Sequence, residues 1–331
     1  MEQTPTIHDL TETQERDFRV RFGTFVQKQG ALILLVLVCI IATARYEAFL
    51  TPENLLNVLR QNSMLGLVAL GMTFVILTSG IDLSVGSLLA VAGVTAAFLA
   101  NRGLGVALIA AVAVTTILGL INGVIIAKAR IQPFIVTLGM MIAARGLALA
   151  VTNEKNVRIP SEITDFGWLG QGEILGFLPV PILVLIIAYI VGWLVLNYTA
   201  FGRHVFALGD NDEAARLMGL NISRVTIFVY GISGLLAGLA GVILASRLNT
   251  GSPVEGVGRE LDAIAAVVVG GTLLTGGKGS LVSTLYGVLL LGVIFNIFNL
   301  EGQISPWWQL VFRGAILLAV VVLQSRLTRA K

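Results

Sequence analysis

Charged side chains are scarce in this sequence, and their scarcity excludes a soluble globule. Asp, Glu, Lys and Arg make up 12% of the 331 residues, whereas hydrophobic residues make up 56%. Soluble domains contain about 25% charged residues, because their surfaces must be solvated. A chain of this length without that polar cover is therefore predicted to be an integral membrane protein.

Cysteine and histidine are nearly absent, which excludes several kinds of site. Cys39 is the only cysteine and lies in an apolar run, so intrachain disulfides and cysteine metal sites are excluded. The only histidines, His8 and His204, lie far apart in polar segments and indicate no metal site. The stretch GGTLLTGGKGS is not a phosphate-binding loop, because Gly277 stands where that motif requires lysine. No cofactor is expected on this chain, and the lack of a basic stripe with interleaved aromatic residues argues against nucleic acid as a partner.

Long apolar runs, in contrast, are abundant. A helix that crosses about 30 Å of hydrocarbon needs about 20 mostly apolar residues. The predicted fold class is an all-α integral membrane protein with about ten transmembrane helices, although the shortness of two runs leaves about nine or eleven open. The candidate spans lie near residues 31–44, 63–79, 86–100, 104–127, 133–152, 178–198, 225–246, 260–275, 280–299 and 306–324.

The distribution of Lys and Arg predicts the orientation. The leader before the first span is long and carries acidic residues, so the first span is predicted to be retained rather than cleaved as a signal peptide. With the N-terminus inside, the inner segments hold more Lys and Arg than the outer ones. The predicted organisation is a cytoplasmic tail at 1–29, one transmembrane domain at 30–325 with a long cytoplasmic loop at about 199–224, and a cytoplasmic tail at 326–331.

Two apolar segments are interrupted by glycine in a similar way. ILTSGIDLSVGSLL (76–89) and LLTGGKGSLVSTL (273–285) both pass through Leu-Thr-Ser/Gly-Gly and then resume as apolar helices. Such matched interruptions predict a two-half pseudo-repeat and a transport pathway, because unwound backbone at membrane depth must line a cavity or be covered by protein. Two ordinary turns between helices are the alternative. The residues expected to line or brace the translocation path or its gate are Thr78, Ser79, Gly80, Asp82, Ser84, Gly86, Thr275, Gly276, Gly277 and Lys278.

Three charged residues fall inside or beside predicted spans. Arg145 and Arg313 lie within apolar runs, and Asp262 begins another run on the same side. Charges at membrane depth are costly and usually pair with one another or face the bundle interior. Asp262 is therefore a candidate partner for one of the two arginines, either as a tether between helices or as part of the substrate path.

The long cytoplasmic loop contains a predicted short helix, DNDEAARLMGLNIS (210–223). Asn211 or Asp212 can cap its first turn, and Gly219 can end it. Leu217 and Met218 give it a small apolar face next to charged residues. Such a helix suits docking into a groove on a cytoplasmic partner. The alternative is that the helix lies on the lipid surface.

The segment EAARLMG (213–219) matches the E-A-A-x-x-x-G signature of ABC importer permeases. VILTSGIDLSVGSLLAVAG, GRHVFALGDNDEAARLMGLN, VYGISGLLAGLAGVILASRL and ELDAIAAVVVGGTLLTGGKGSLVSTLYGVLLLG resemble the permeases for ribose and related sugars. The resemblance runs from about residue 50 to the C-terminus. It departs from the wider ABC pattern in lacking the Leu-Pro that often follows the signature, since Val229-Tyr230 stand at that spacing.

The resemblance implies the transmembrane subunit of an ATP-driven monosaccharide importer in a bacterial inner membrane. Its implied partners are a cytoplasmic ABC ATPase that uses ATP and Mg, an extracytoplasmic sugar-binding protein, and a second copy or a related permease, all within membrane lipid. The sugar itself stays open. The residues implied to contact the ATPase are Asp210, Asn211, Glu213, Ala214, Ala215, Leu217, Met218 and Gly219.

A different class of protein remains as an alternative, namely a secondary transporter driven by an ion gradient. Such carriers place ionisable groups near the membrane midplane, whereas Asp82 and Asp262 fall near the ends of predicted spans. An intramembrane hydrolase is disfavoured, because the spans contain no histidine and no paired carboxylates.

Overall fold

Helices dominate the part of the chain that the computed structural model describes, which is residues 29–160 and 162–302 with scattered positions from 305 to 322. The predicted tails, apart from Gln29, and about half of the predicted span at 306–324 lie outside the described residues. The helices are α1 (Gln29–Arg45), α2 (Pro52–Leu77), α3 (Val85–Leu99), α4 (Leu104–Ala129), α5 (Pro133–Thr152), α6 (Thr164–Gln171), α7 (Val180–Tyr198), α8 (Ala200–Asp210), α9 (Asp212–Leu217), α10 (Ile222–Leu248), α11 (Arg259–Val269) and α12 (Leu281–Glu301).

Seven of the described helices are long and apolar enough to cross a membrane. They are α2, α3 with a 3₁₀ extension at Ala100–Arg102, α4, α5, α7, α10 and α12. The helix α1 is apolar but shorter. The prediction of a helical membrane protein is confirmed at this level of detail.

Two small antiparallel ladders close one end of the bundle. β1 (Val157–Arg158) pairs with β4 (Thr250–Gly251), with Val157 opposite Gly251. β2 (Glu173–Ile174) pairs with β3 (Leu178–Pro179) in a hairpin that follows α6. Because β1 follows α5 and β4 follows α10, the first ladder ties together the ends of two helices.

The predicted span at 260–275 is shorter than expected. α11 has 11 residues, a rise of about 16 Å, and so reaches only about halfway across the hydrocarbon. It ends where Gly270 and Gly271 follow one another, and Gly271 has φ +91°, which only glycine adopts readily. The chain then stays irregular until α12 begins at Leu281.

The long helix α10 lies at the centre of the bundle and packs closely on α4, α3 and α2. Glycines set its distance from α4. A Cβ atom at Gly234 would lie 2.3 Å from the carbonyl oxygen of Thr115, and one at Gly119 would lie 2.3 Å from that of Tyr230. The two helix backbones are therefore in direct contact, as small residues permit in membrane bundles.

Apolar side chains also cover the outside of the bundle. Ile109 on α4 is 71% exposed, Ile142 on α5 is 64% exposed, and Ile190 on α7 is 54% exposed. A water-soluble monomer rarely exposes so large an apolar surface. Lipid or another protein must cover these three helices, whereas α2, α3 and α10 are mostly buried.

Candidate functional site

The loop at 199–224 folds into two short helices, one more than the sequence predicted. Thr199 caps the start of α8, and its Oγ1 accepts a hydrogen bond from the N–H of Gly202 at 3.2 Å. Asn211 caps the start of α9, as predicted, and its Oδ1 accepts from the N–H of Ala214 at 2.9 Å. Gly219 has φ +81° just after α9, so the predicted end is also present. The capping threonine before an amphipathic stretch was the available signal for α8.

Two large apolar side chains project from the end of α9. Leu217 is 85% exposed and Met218 is 70% exposed, whereas Ala215 is fully buried. Ala214 is half-buried, and Glu213 is exposed beside them. This arrangement leaves a small apolar surface with a charged edge, which is the form of a helical docking element.

Three segments meet in a contact that we call the junction, formed by Leu77, Ser79, Gly209, Thr275 and Gly277. The N–H of Gly277 donates to the carbonyl of Leu77 at 3.0 Å, and the hydroxyl of Ser79 donates to the carbonyl of Thr275 at 2.7 Å. A Cβ atom at Gly209 would lie 1.7 Å from the oxygen of Leu77 and 2.5 Å from the nitrogen of Gly277. α8 therefore touches both interrupted segments through backbone atoms. Gly209 is not among the site residues predicted from the sequence.

The end of α2 explains how the chain turns at the junction. The N–H of Ser79 donates to the carbonyl of Ile76 at 2.9 Å, and the N–H of Gly80 donates to that of Val75 at 3.0 Å. These bonds form a Schellman-type cap with Ser79 in the left-handed position at φ +61°. Thr78 supplies a further bond from its hydroxyl to Val75 at 2.8 Å.

Two further glycines shape the other side of the junction. Gly276 has φ +83° and Gly277 has φ +71°, so both positions favour glycine. Lys278 follows with an exposed side chain. The predicted gate residues from the two interruptions are thus neighbours in space, although they lie far apart in sequence.

Asp82 and Ser84 lie in a buried polar cluster rather than at the junction surface. One carboxylate oxygen of Asp82 accepts from the Ser84 N–H at 2.9 Å and the Ser84 hydroxyl at 2.5 Å. The other accepts from the hydroxyl of Ser233 on α10 at 2.7 Å, and the amide of Asn122 on α4 donates to the Ser84 oxygen at 3.1 Å. All four side chains are buried, so the cluster ties the start of α3 to α4 and α10. Ser233 is not among the site residues predicted from the sequence.

Gly86 and Arg145 belong to a different contact. The guanidinium of Arg145 donates to the carbonyls of Pro253 and Glu255 at 2.5 and 2.6 Å, and to that of Gly86 at 3.3 Å. Arg145 therefore holds the loop before α11 against the start of α3. Asp262 lies 3.8 Å from Arg259, one turn away on the same helix. Arg313, the remaining candidate for a charge pair, lies outside the described residues.

An open cleft of about 420 Å³ lies beside the junction. It is bounded by the end of α2, the α8–α9 turn and the first half of α10. Ser79, Thr275 and Asp210 lie on its wall. Both interrupted segments therefore face a space next to the helix that exposes Leu217.

Comparison with known proteins gives one consistent result. The family described as "Branched-chain amino acid transport system / permease component" matches residues 54–321. The chain is 44% identical over 305 residues to the ribose import permease protein RbsC of Escherichia coli K12, covering 91% of this chain and 94% of that one. It is 39% identical over 312 residues to the L-arabinose transport system permease protein AraH of the same strain, covering 94% of each.

A third relative is the inner membrane ABC transporter permease protein YjfF of Escherichia coli K12. It is 36% identical over 305 residues, covering 90% of this chain and 91% of that one. No solved structure matches the chain.

Proposed function

The chain belongs to the family of inner-membrane ABC permeases that import monosaccharides, and on that premise we propose that it carries ribose or a closely related pentose. It is a transport subunit, so no covalent chemistry is assigned to it. The names of its relatives support the pentose, since one imports ribose and another transports L-arabinose. The similarity to the ribose permease is the greater of the two.

α9 is the helix through which a cytoplasmic ATPase drives the permease. The support for this role is its exposed apolar tip, where Leu217 is 85% exposed and Met218 is 70% exposed. ATP binding and hydrolysis, with Mg, then take place on the partner, and α9 passes on the resulting movement. The ATPase must bind one conformation of the permease more tightly than the other, because only differential affinity can shift the equilibrium.

The junction converts that movement into gating. The single observation that carries this proposal is the backbone contact of α8 with both interruptions, in which no side chain fits at Gly209. A displacement of α8–α9 must move the Leu77 and Gly277 segments with it. The open cleft next to the junction is then the cytoplasmic exit for the sugar, and Asp82 braces the start of α3 rather than lining the path.

The proposed topology has ten membrane crossings with both termini in the cytoplasm, and the direction in which each helix runs is consistent with it. α8 contacts the end of α2, so that end of the bundle is cytoplasmic in this proposal. Three further crossings are α1, the segment at 306–324, and α11 together with the irregular stretch that follows it as far as Gly277 at the junction. The even total returns the chain to the cytoplasm. The support for a two-half pseudo-repeat is the pair of matched interruptions at 76–89 and 273–285, which meet at the junction.

The remaining partners are an extracytoplasmic sugar-binding protein and a second permease, either another copy or a related chain. The exposed apolar faces of α4, α5 and α7 supply surface for lipid and for that second permease.

Reconstitution tests the proposal directly. Proteoliposomes that contain the permease, its ATPase and its binding protein should accumulate ribose only when ATP is present. Uptake that persists without ATP and follows an imposed ion gradient would contradict the proposal.

A docking variant tests the role of α9. Replacing Leu217 and Met218 with alanine should lower retention of the ATPase on the purified permease about tenfold, since exposed apolar anchors commonly contribute more than about 1 kcal/mol each. The matched control replaces Leu175 and Phe177, which are 83% and 61% exposed on the β2–β3 hairpin at the other end of the bundle. Equal loss of ATPase in both variants would refute docking at α9.

A further inference from the structure

A second cleft lies towards the opposite end of the bundle from the junction, between α2, α10, α11 and α12. Its volume is about 160 Å³. We call it the amide cleft after its polar lining, which includes Gln61, Asn62, Arg247, Arg259, Asn296 and Asn299. Arg247 lies in the last turn of α10, whereas the first half of that helix borders the junction cleft. The amide cleft therefore opens on the outer half of the proposed topology.

The size of the amide cleft suits one sugar ring. A water molecule in the liquid occupies about 30 Å³, so the cleft has the volume of about five waters. One pentose or hexose ring occupies a comparable volume. The size alone therefore favours a single monosaccharide unit.

Three side chains of the amide cleft, those of Asn62, Asn296 and Arg247, keep unused hydrogen-bonding capacity. Asn62 donates one amide hydrogen to the carbonyl of Val58 at 2.7 Å, and no described residue donates to its Oδ1. Asn296 and Asn54 bond to each other at 2.7 and 3.1 Å, which fixes both amides. Asn54 also donates to the carbonyl of Phe49 at 2.9 Å, so an unused N–H remains on Asn296 but not on Asn54. The guanidinium of Arg247 is half-buried and makes no hydrogen bond to any residue that the structure describes. These half-buried donors and acceptors can bind a ligand that offers hydroxyl groups.

Two residues shape the cleft around these amides. A Cβ atom at Gly292 would lie 2.3 Å from the amide nitrogen of Asn62, so glycine on α12 makes room for that side chain. Phe295, one turn further along α12, adds an aromatic side chain to the wall. An apolar face beside several amides matches a sugar ring, which has C–H faces and hydroxyls around its edge.

The chemistry of the cleft favours a neutral polyol over an anion. Carboxamides both donate and accept hydrogen bonds, as sugar hydroxyls do, whereas an anion needs donors alone. The carboxylate of Asp262 lies 3.8 Å from Arg259 and offsets one of the two cations. We propose that the amide cleft is the site at which the permease first binds a neutral monosaccharide entering from the outer side. The inference rests on the proposed sugar import and assigns its entry site.

Cysteine protection tests the entry site. Cys39 is the only cysteine, so a Cys39→Ala background accepts single reporters. Gln61→Cys places a thiol in the cleft, and Val254→Cys places one in the loop after β4, where the native side chain is 56% exposed and does not line the cleft. The two variants are assembled with the ATPase in membranes and modified with a small charged thiol reagent, with and without D-ribose.

D-ribose should slow modification of Gln61→Cys and leave Val254→Cys unchanged. At ten times the dissociation constant the unliganded fraction falls about elevenfold, and the rate should fall with it. Full reactivity of Gln61→Cys at every ribose concentration would overturn the inference. So would protection by ribose 5-phosphate without protection by ribose, because the site would then bind an anion.

A second pair of variants separates binding from folding. Asn62→Ala, made in the Gln61→Cys background, should raise the ribose concentration that gives half protection about five- to tenfold, since one ligand hydrogen bond is lost. Asn197→Ala is the matched control, because Asn197 is exposed at the other end of the bundle and bonds only to its own helix among the described residues. Equal protection curves for both would refute the entry site. Failure of the unsubstituted complex to take up ribose would instead refute the proposed function, so the two failures are distinguishable.

Discussion

Gly209→Ala is the sharpest test of the junction. The added methyl would lie 1.7 Å from the carbonyl oxygen of Leu77, and real Cβ contacts essentially never fall below 3.0 Å. The two segments must therefore separate by about 1.3 Å. Neither neighbour is a flexible side chain, since both are backbone atoms of the interrupted segments. Overpacking of this kind costs about 1–3 kcal/mol.

Strain of this size between α8 and the two interruptions should uncouple transport from ATP hydrolysis. A loss of about 1–3 kcal/mol in coupling corresponds to about 5–150-fold. We therefore expect ribose uptake per ATP hydrolysed to fall by at least about fivefold, while the ATPase still copurifies with the permease. The assay measures uptake and phosphate release on the same proteoliposomes.

Two further variants keep this test decisive. Gly139→Ala is the control for glycine replacement within a helix, because a Cβ atom there meets nothing within 4 Å, and it should behave as the unsubstituted protein. Ser79→Ala removes the 2.7 Å hydrogen bond to Thr275 without adding bulk, and should lower coupling by a few-fold even if Gly209→Ala assembles poorly. Unchanged uptake per ATP in both junction variants, at equal protein level, would refute the reasoning.

Three other substitutions test separate contacts. Gly234→Ala brings a methyl within 2.3 Å of the carbonyl oxygen of Thr115 and should lower the free energy of unfolding by about 1–3 kcal/mol. The thermal midpoint of the purified protein should fall accordingly, and an unchanged midpoint would contradict the α4–α10 contact. Asp82→Ala should cost about 1–3 kcal/mol of stability, because it leaves buried hydroxyls without their acceptor. Asp82→Asn should still assemble but change uptake, and normal uptake by the asparagine variant would exclude a role for the charge. Asn211→Ala removes the side-chain acceptor for the N–H of Ala214 and should cost about 0.5–2 kcal/mol of helix stability. It should therefore weaken ATPase binding, measured by titration. Unchanged affinity would mean that α9 is not the docking helix.

The helical character of the fold was predictable because it depends on composition. Runs of about 20 apolar residues must form helices in lipid, where no water satisfies the backbone. The cap at Asn211 and the end at Gly219 were predictable for a similar reason, since both are local effects within one turn. α11 was predicted too long because its sequence stays apolar beyond Val269, although Gly270 and Gly271 already end the helix.

The geometry of the site was less predictable, because it depends on contacts between distant segments. The sequence places Leu77, Gly209 and Gly277 in three separate stretches, and no local pattern shows that they meet. The role of Ser233 also depends on a contact between distant segments. It sits among the small residues of α10, and only the fold brings its hydroxyl to Asp82.

The contacts around α9 give a movement of that helix two routes into the bundle. On its N-terminal side, α8 reaches both interruptions through Gly209, where backbone meets backbone and no flexible side chain absorbs a displacement. On its C-terminal side, α10 begins at Ile222 and carries Ser233, which bonds to Asp82 at the start of α3. Both routes lead to the segment at 78–84, the first through its beginning and the second through its middle. When both routes act on the same segment, breaking either one alone should reduce coupling only in part. Combining Ser79→Ala with Ser233→Ala should then reduce coupling by more than the product of the two single effects, because residues that bias one two-state element are not additive. Strictly multiplicative effects in the same uptake-per-ATP assay would mean that the two contacts act on separate steps.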